Sequence, residues 1–106
     1  SKLEKEARKI RKKIKNNDYL VILDTEGLPL DNSDLLREFK ELMNQGKSIK
    51  VVIGGSGGVD DSLKADAHTV WSMSKLIYPH ALCLLMFVEQ LYRTTSILSN
   101  HPYHKY

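Results

Sequence analysis

A chain of 106 residues is the length of one domain with one core. Its 42% hydrophobic and 27% charged residues are ordinary globular composition. No apolar run approaches the roughly 18 residues of a membrane span; the longest, residues 81–88, is eight. The single cysteine, Cys83, excludes an internal disulfide framework and a cysteine-based zinc site. With a charged rather than apolar start and no signal-peptide pattern, the expected location is the reducing cytoplasm.

The net charge of +3 is unevenly spread. Residues 1–15 carry eight basic side chains against Glu4 and Glu6, and the remaining residues carry eight basic against eleven acidic. Such a segment suits a polyanion or a solvated helix face, and composition alone favours the latter.

In chain order, Leu3, Ala7, Ile10 and Ile14 mark one apolar stripe, which predicts a helix stopped by Asn16-Asn17-Asp18. Residues 19–23 form a short apolar run expected to be a buried strand. Residues 24–30, with Gly27 and Pro29, are expected to be a loop. Asp31 is a candidate N-cap for a helix with Leu35, Leu36, Phe39, Leu42 and Met43 on its apolar face, ended by Gly46. Residues 49–53 predict a second buried strand, running into the glycine-rich loop 54–58. A short helix over 60–67 and a third strand over 69–73 follow, then a loop at 74–79. Residues 80–99 predict the longest helix, apolar almost all round over its first two turns, which calls for cover on both sides. In so small a domain the second cover is expected to be another chain. Residues 100–106 are polar and aromatic without periodicity. The order α-β-α-β-α-β-α predicts an α/β fold with a parallel sheet, in which ligands sit at the carboxyl ends of the strands.

The glycine loop lacks the Gly-Lys-Ser/Thr end of a P-loop and the spacing of the dinucleotide fingerprint, so a tight turn explains it as well as a ligand does. His101 and His104 have no companion ligand set, and no metal site is expected. His68 is expected at the surface, and His80, after Pro79, suits a helix start. Asp24 and Asp66 have no distinguishable role. Glu89, Tyr92 and Arg93 lie within little more than one helical turn, as a structural ion pair across an interface or as substrate contacts. Tyr103, Tyr106, Lys105, His101 and His104 suit a base and its phosphates, or a frayed terminus.

Several segments recur together in a fixed order: Leu23-Asp24 with Gly27; Ile53-Gly54-Gly55 with Gly58 and Val59; Trp71-Ser72-Met73-Ser74 leading to Pro79-His80; Glu89-Gln90-Leu91-Tyr92-Arg93; and Asn100-His101-Pro102-Tyr103-His104. This set resembles the RlmH family of 23S rRNA pseudouridine methyltransferases, of the SPOUT class, over essentially the whole chain. The resemblance implies a single SPOUT-type α/β trefoil-knot domain over residues 1–106 with a parallel sheet. It also implies that the family's first strand-helix-strand is missing, so that the domain is truncated at the amino terminus. It further implies S-adenosylmethionine held by Leu23, Gly54, Gly55, Ser74, Lys75, Leu76, Ile77, Tyr78 and Pro79. The implied reaction methylates ring nitrogen 3 of a pseudouridine on the ribosome. His80, Glu89, Arg93, Tyr103 and His104 would carry it, with Lys105 for phosphate. A homodimer is implied, with the tail of one subunit completing the site of the other, and no DNA or membrane partner. Relatives often carry an arginine where this chain has Leu84, and a final arginine where it has Lys105. A catalytically inactive knotted scaffold is the alternative, and an unrelated nucleotide-binding module is argued against by the ordered motifs.

Overall fold

The computed structural model describes residues 2–54, 58–73 and 79–98, without the side chains of His80 and residues 95–98. Seven elements follow in order: α1 (Lys2–Arg11), β1 (Tyr19–Pro29), α2 (Asn32–Gln45), β2 (Ile49–Ile53), α3 (Asp61–Asp66), β3 (Thr69–Ser72) and α4 (His80–Leu98). The sheet has the order β2-β1-β3, and β1 runs parallel to both neighbours. The α/β alternation therefore produces the parallel sheet that the sequence predicts.

Strand β1 lies between two neighbours and two helical layers, so both of its faces must be apolar. Val21 and Ile22 are 0% exposed. Val21 and Leu23 point into a cluster with Leu35, Phe39, Trp71 and Phe87, roofed by α2 and α4. Leu20 and Ile22 point the other way, against Ala7, Val59 and Leu63 beneath α1 and α3. The period-2 alternation of one four-residue run thus divides the core in two. Strand β2 is an edge strand within this sheet and is half-buried, with Lys50 exposed, rather than the fully buried strand expected.

Helix α2 begins and ends at the residues its sequence announces. Asp31 caps it by accepting from the Asp34 N–H at 2.8 Å, and Gly46 closes it with φ 66°. Leu35, Phe39 and Leu42 are buried, but Met43, expected on the same face, is exposed. Helix α1 ends at Arg11, short of Ile14, because the chain turns there. Ile10 and Ile14 both still pack on the lower cluster.

The largest departure is at residues 24–30. In place of a loop, β1 continues to Pro29. Leu23 and Leu28 both stand opposite Trp71, so residues 24–27 form a bulge and pairing resumes after it. Gly27 makes this geometry possible. A Cβ there would lie 2.7 Å from the Trp71 carbonyl carbon and 2.8 Å from the Val70 carbonyl oxygen.

Candidate functional site

The registers Leu23↔Ile53 and Leu23↔Trp71 bring Leu23, the last residue of β1 before its bulge, level with the carboxyl ends of β2 and β3 at one edge of the sheet. The Gly54 N–H donates to the Leu23 carbonyl at 3.0 Å, which ties β1 to the end of β2. A Cβ on Gly54 would approach Val59 Cγ2 to 2.8 Å, so no side chain fits there while Val59 closes the turn. Leu23 is buried and Pro79 is exposed. Gly55 and residues 74–78, expected to hold the cofactor, lie outside the described residues, as do Tyr103, His104 and Lys105.

Asp24 follows Leu23 at this edge. It continues the alternation of Leu20 and Ile22, which turns its side chain inward to 6% exposure. Lys64 of α3 reaches it, with Nζ 2.5 Å from Oδ2, an ion contact rather than a well-angled hydrogen bond. The nearby carboxylate raises the Lys64 ammonium above its ordinary pKa. Asp66, which the sequence does not distinguish from Asp24, instead pairs with Arg11 on the surface. The signal was present in the sequence: a carboxylate placed directly after a doubly buried run, on the inward phase of the strand, needs a cation.

On α4, Arg93 donates to both oxygens of Glu89, Nε to Oε1 at 3.1 Å and Nη2 to Oε2 at 3.3 Å. The pair spans one turn of a single helix. At ~1.5 Å per residue, Glu89 and Arg93 stand about 14 and 20 Å along the axis from His80. One chain therefore does not bring these three to a common point. Phe87 and Thr94 are buried on the inner side of α4. Leu84, Leu85, Val88 and Tyr92 are exposed on the outer side, Leu85 to 64%.

At the opposite end of the strands, His68 is exposed yet structural. Its Nδ1 accepts from the Leu20 N–H at 3.0 Å, and its ring stacks on Tyr19 with centroids 4.7 Å apart. The Tyr19 hydroxyl shares a 2.6 Å hydrogen bond with Thr69 and donates to Glu38 at 3.3 Å. Among the described residues there is no group of three or more potential metal ligands, and no helix is long and apolar enough to cross a membrane.

A family profile described as "Predicted SPOUT methyltransferase" matches residues 1–104. Curated proteins named "Ribosomal RNA large subunit methyltransferase H" are similar throughout. The protein from Methylobacillus flagellatus is 44% identical over 83% of this chain and 57% of its own length. That from Acholeplasma laidlawii is 40% identical over 97% of this chain and 71% of its own. That from Polynucleobacter necessarius is 39% identical over 97% and 76%. The chain thus spans between roughly half and three quarters of these relatives. With the profile matched almost end to end on a parallel α/β sheet, the chain belongs to the SPOUT methyltransferase family.

Proposed function

We propose that this protein transfers a methyl group from S-adenosylmethionine to ring nitrogen 3 of a pseudouridine in 23S rRNA, on the ribosome and as a cytoplasmic homodimer. The observation that carries the reading is the match over residues 1–104, joined to relatives whose names state large-subunit rRNA methylation. The knot that the family implies would close around the carboxyl edge of the sheet.

That edge suits the cofactor. The bulge of β1 and the ends of β2 and β3 meet there at one level, and Gly54 presents backbone rather than side chain. Leu23, Gly54, Gly55, Ser74, Lys75, Leu76, Ile77, Tyr78 and Pro79 would hold it, chiefly through backbone groups. When bound, the cofactor supplies a methyl group already activated by the sulfonium. The chain's own task is then to orient the acceptor and to receive the imide proton. His80, which opens α4 directly after residues 74–79, is the candidate to receive it. Arg93, its guanidinium oriented by Glu89, would hold an anionic part of the substrate. Tyr103, His104 and Lys105 would engage the base and its phosphates. Because Glu89 and Arg93 stand well down α4 from His80, a composite site needs a second copy, and the exposed stripe of α4 supports one.

Calorimetry with S-adenosylmethionine at micromolar concentration, followed by single-turnover transfer of labelled methyl to ribosomes lacking the modification, tests the reading. Binding and transfer are expected. Gly55→Val is expected to weaken binding at least tenfold with an unchanged melting temperature. A folded chain that binds no cofactor would sink the proposal. Binding without transfer would point to the scaffold reading, which the partial span of the relatives keeps open.

A further inference from the structure

Helix α1 carries Lys5, Arg8, Lys9 and Lys12 at the spacing i, i+3, i+4 and i+7, which puts them on one face, opposite Ala7 and Ile10. Lys12 lies just past the helix end but keeps the helical turn, since its N–H donates to the Arg8 carbonyl at 3.3 Å. All four are exposed, and none makes an ion pair among the described residues. The contrast with the neighbouring surface is informative. A cleft of about 290 Å³ at the carboxyl end of α1 also has a charged lining, but there Arg11 and both carboxylates already have partners within the chain. Arg11 pairs with Asp66, and Asp18 accepts from the Lys15 N–H at 2.8 Å.

Like charges one turn apart destabilise a helix, and α1 is only ten residues long with one fully buried side chain, Ala7. The stripe therefore works against the stability of the element that bears it. It covers ~10 Å of axis, the span of a few phosphates along one strand. The rest of the chain beyond residue 15 has an acidic excess, so the basic excess is confined to the segment that carries this face.

We propose that the outward face of α1, through Lys5, Arg8, Lys9 and Lys12, binds the phosphate backbone of the RNA substrate. The choice of RNA as the polyanion rests on the function proposed above. These contacts are sequence-independent and set affinity and placement, not the choice of base.

The test compares two triple variants of equal net charge: Lys5→Gln/Arg8→Gln/Lys12→Gln on the stripe, and Lys40→Gln/Lys47→Gln/Lys50→Gln elsewhere. Each is titrated with a fluorescein-labelled single-stranded RNA of about 20 nucleotides across a salt series. The stripe variant is expected to lose at least tenfold in affinity, and its salt slope to shrink by about 2, at ~0.7 per lost contact. The control should stay within about threefold of the parent. Equal losses in both variants, or no loss in either, would overturn the proposal. So would a loss of binding to phosphatidylserine vesicles with RNA binding intact. Calorimetry with S-adenosylmethionine separates the two readings. A parent that binds RNA through the stripe but no cofactor refutes the methyltransferase reading alone. A stripe variant that keeps cofactor and RNA affinity refutes this inference alone.

Discussion

Two single positions carry more of the fold than their size suggests. At Gly27 the neighbour of an added Cβ would be the backbone of β3, which cannot rotate away as a side chain would. Gly27→Ala is therefore expected to cost about 2 kcal/mol, in the range of overpacked cores, read as a lower urea midpoint at constant slope. Among the described residues, Asp24 has one cation in contact, Lys64. Lys64→Met should cost about 2 kcal/mol, less than breaking a fully buried pair because Lys64 keeps 26% of its side chain in water. Adding Asp24→Asn should recover part of that loss, since the uncompensated charge is then gone. A double-mutant cycle by urea denaturation measures the coupling, and a value near zero would show that the contact contributes nothing.

Elements were legible where local chemistry decides them. Helix α2 needs only an Asp, an apolar stripe and a glycine, and it appears with those limits. Asp31→Ala should lower stability by about 1 kcal/mol, as the loss of a cap does, again by urea denaturation. The continuation of β1 past Leu23 was not legible, because Gly27 and Pro29 look like loop chemistry and only the backbone of β3, far along the chain, makes them strand. The half-exposure of β2 was hidden for a related reason: Ile49, Val51 and Val52 show that a strand is apolar but not which neighbours it has. For α4 the sequence reveals an apolar surplus, and the structure resolves it into an inner side at Phe87 and an outer side at Leu85 and Val88. Leu85→Glu is expected to convert a dimer to monomer in sedimentation equilibrium at micromolar concentration, with far-UV circular dichroism unchanged. A parent that is already monomeric would remove the composite site.

At the scale of the molecule, the three groups among the described residues whose pKa values depart clearly from the ordinary are all raised. Burial lifts the Cys83 thiol above 9.0 and, as the largest influence, the Tyr19 phenol above 10.0; the Asp24 carboxylate lifts Lys64 above 10.5. A raised folded-state pKa means that the native protein holds its proton longer than the unfolded chain does. The stability associated with each group is thus complete below its unfolded pKa and declines as pH rises through the folded one. Unfolding free energy should fall from about pH 9 upward, and Lys64→Met should flatten the upper part of that decline. Urea melts at pH 8 and about 10.5 provide the check, and a parent equally stable at both would contradict it. The candidate site was only partly legible at this scale. Leu23, Gly54 and Asp24 meet at one edge because the bulge of β1 comes level with the ends of β2 and β3, whereas Glu89 and Arg93, close to His80 in sequence, are carried away from His80 by the rise of a helix. The central place of β1 also has a consequence in time. Leu20 to Leu23 are covered, apart from Ala7, Ile10 and Ile14, by partners that leave the ribosome later, and β3 ends 49 residues after Leu23. At ~5–20 residues per second, this buried stretch waits roughly 2–10 s for its second strand neighbour and longer still for Phe87 of α4, which leaves the nascent chain vulnerable to aggregation until both have emerged.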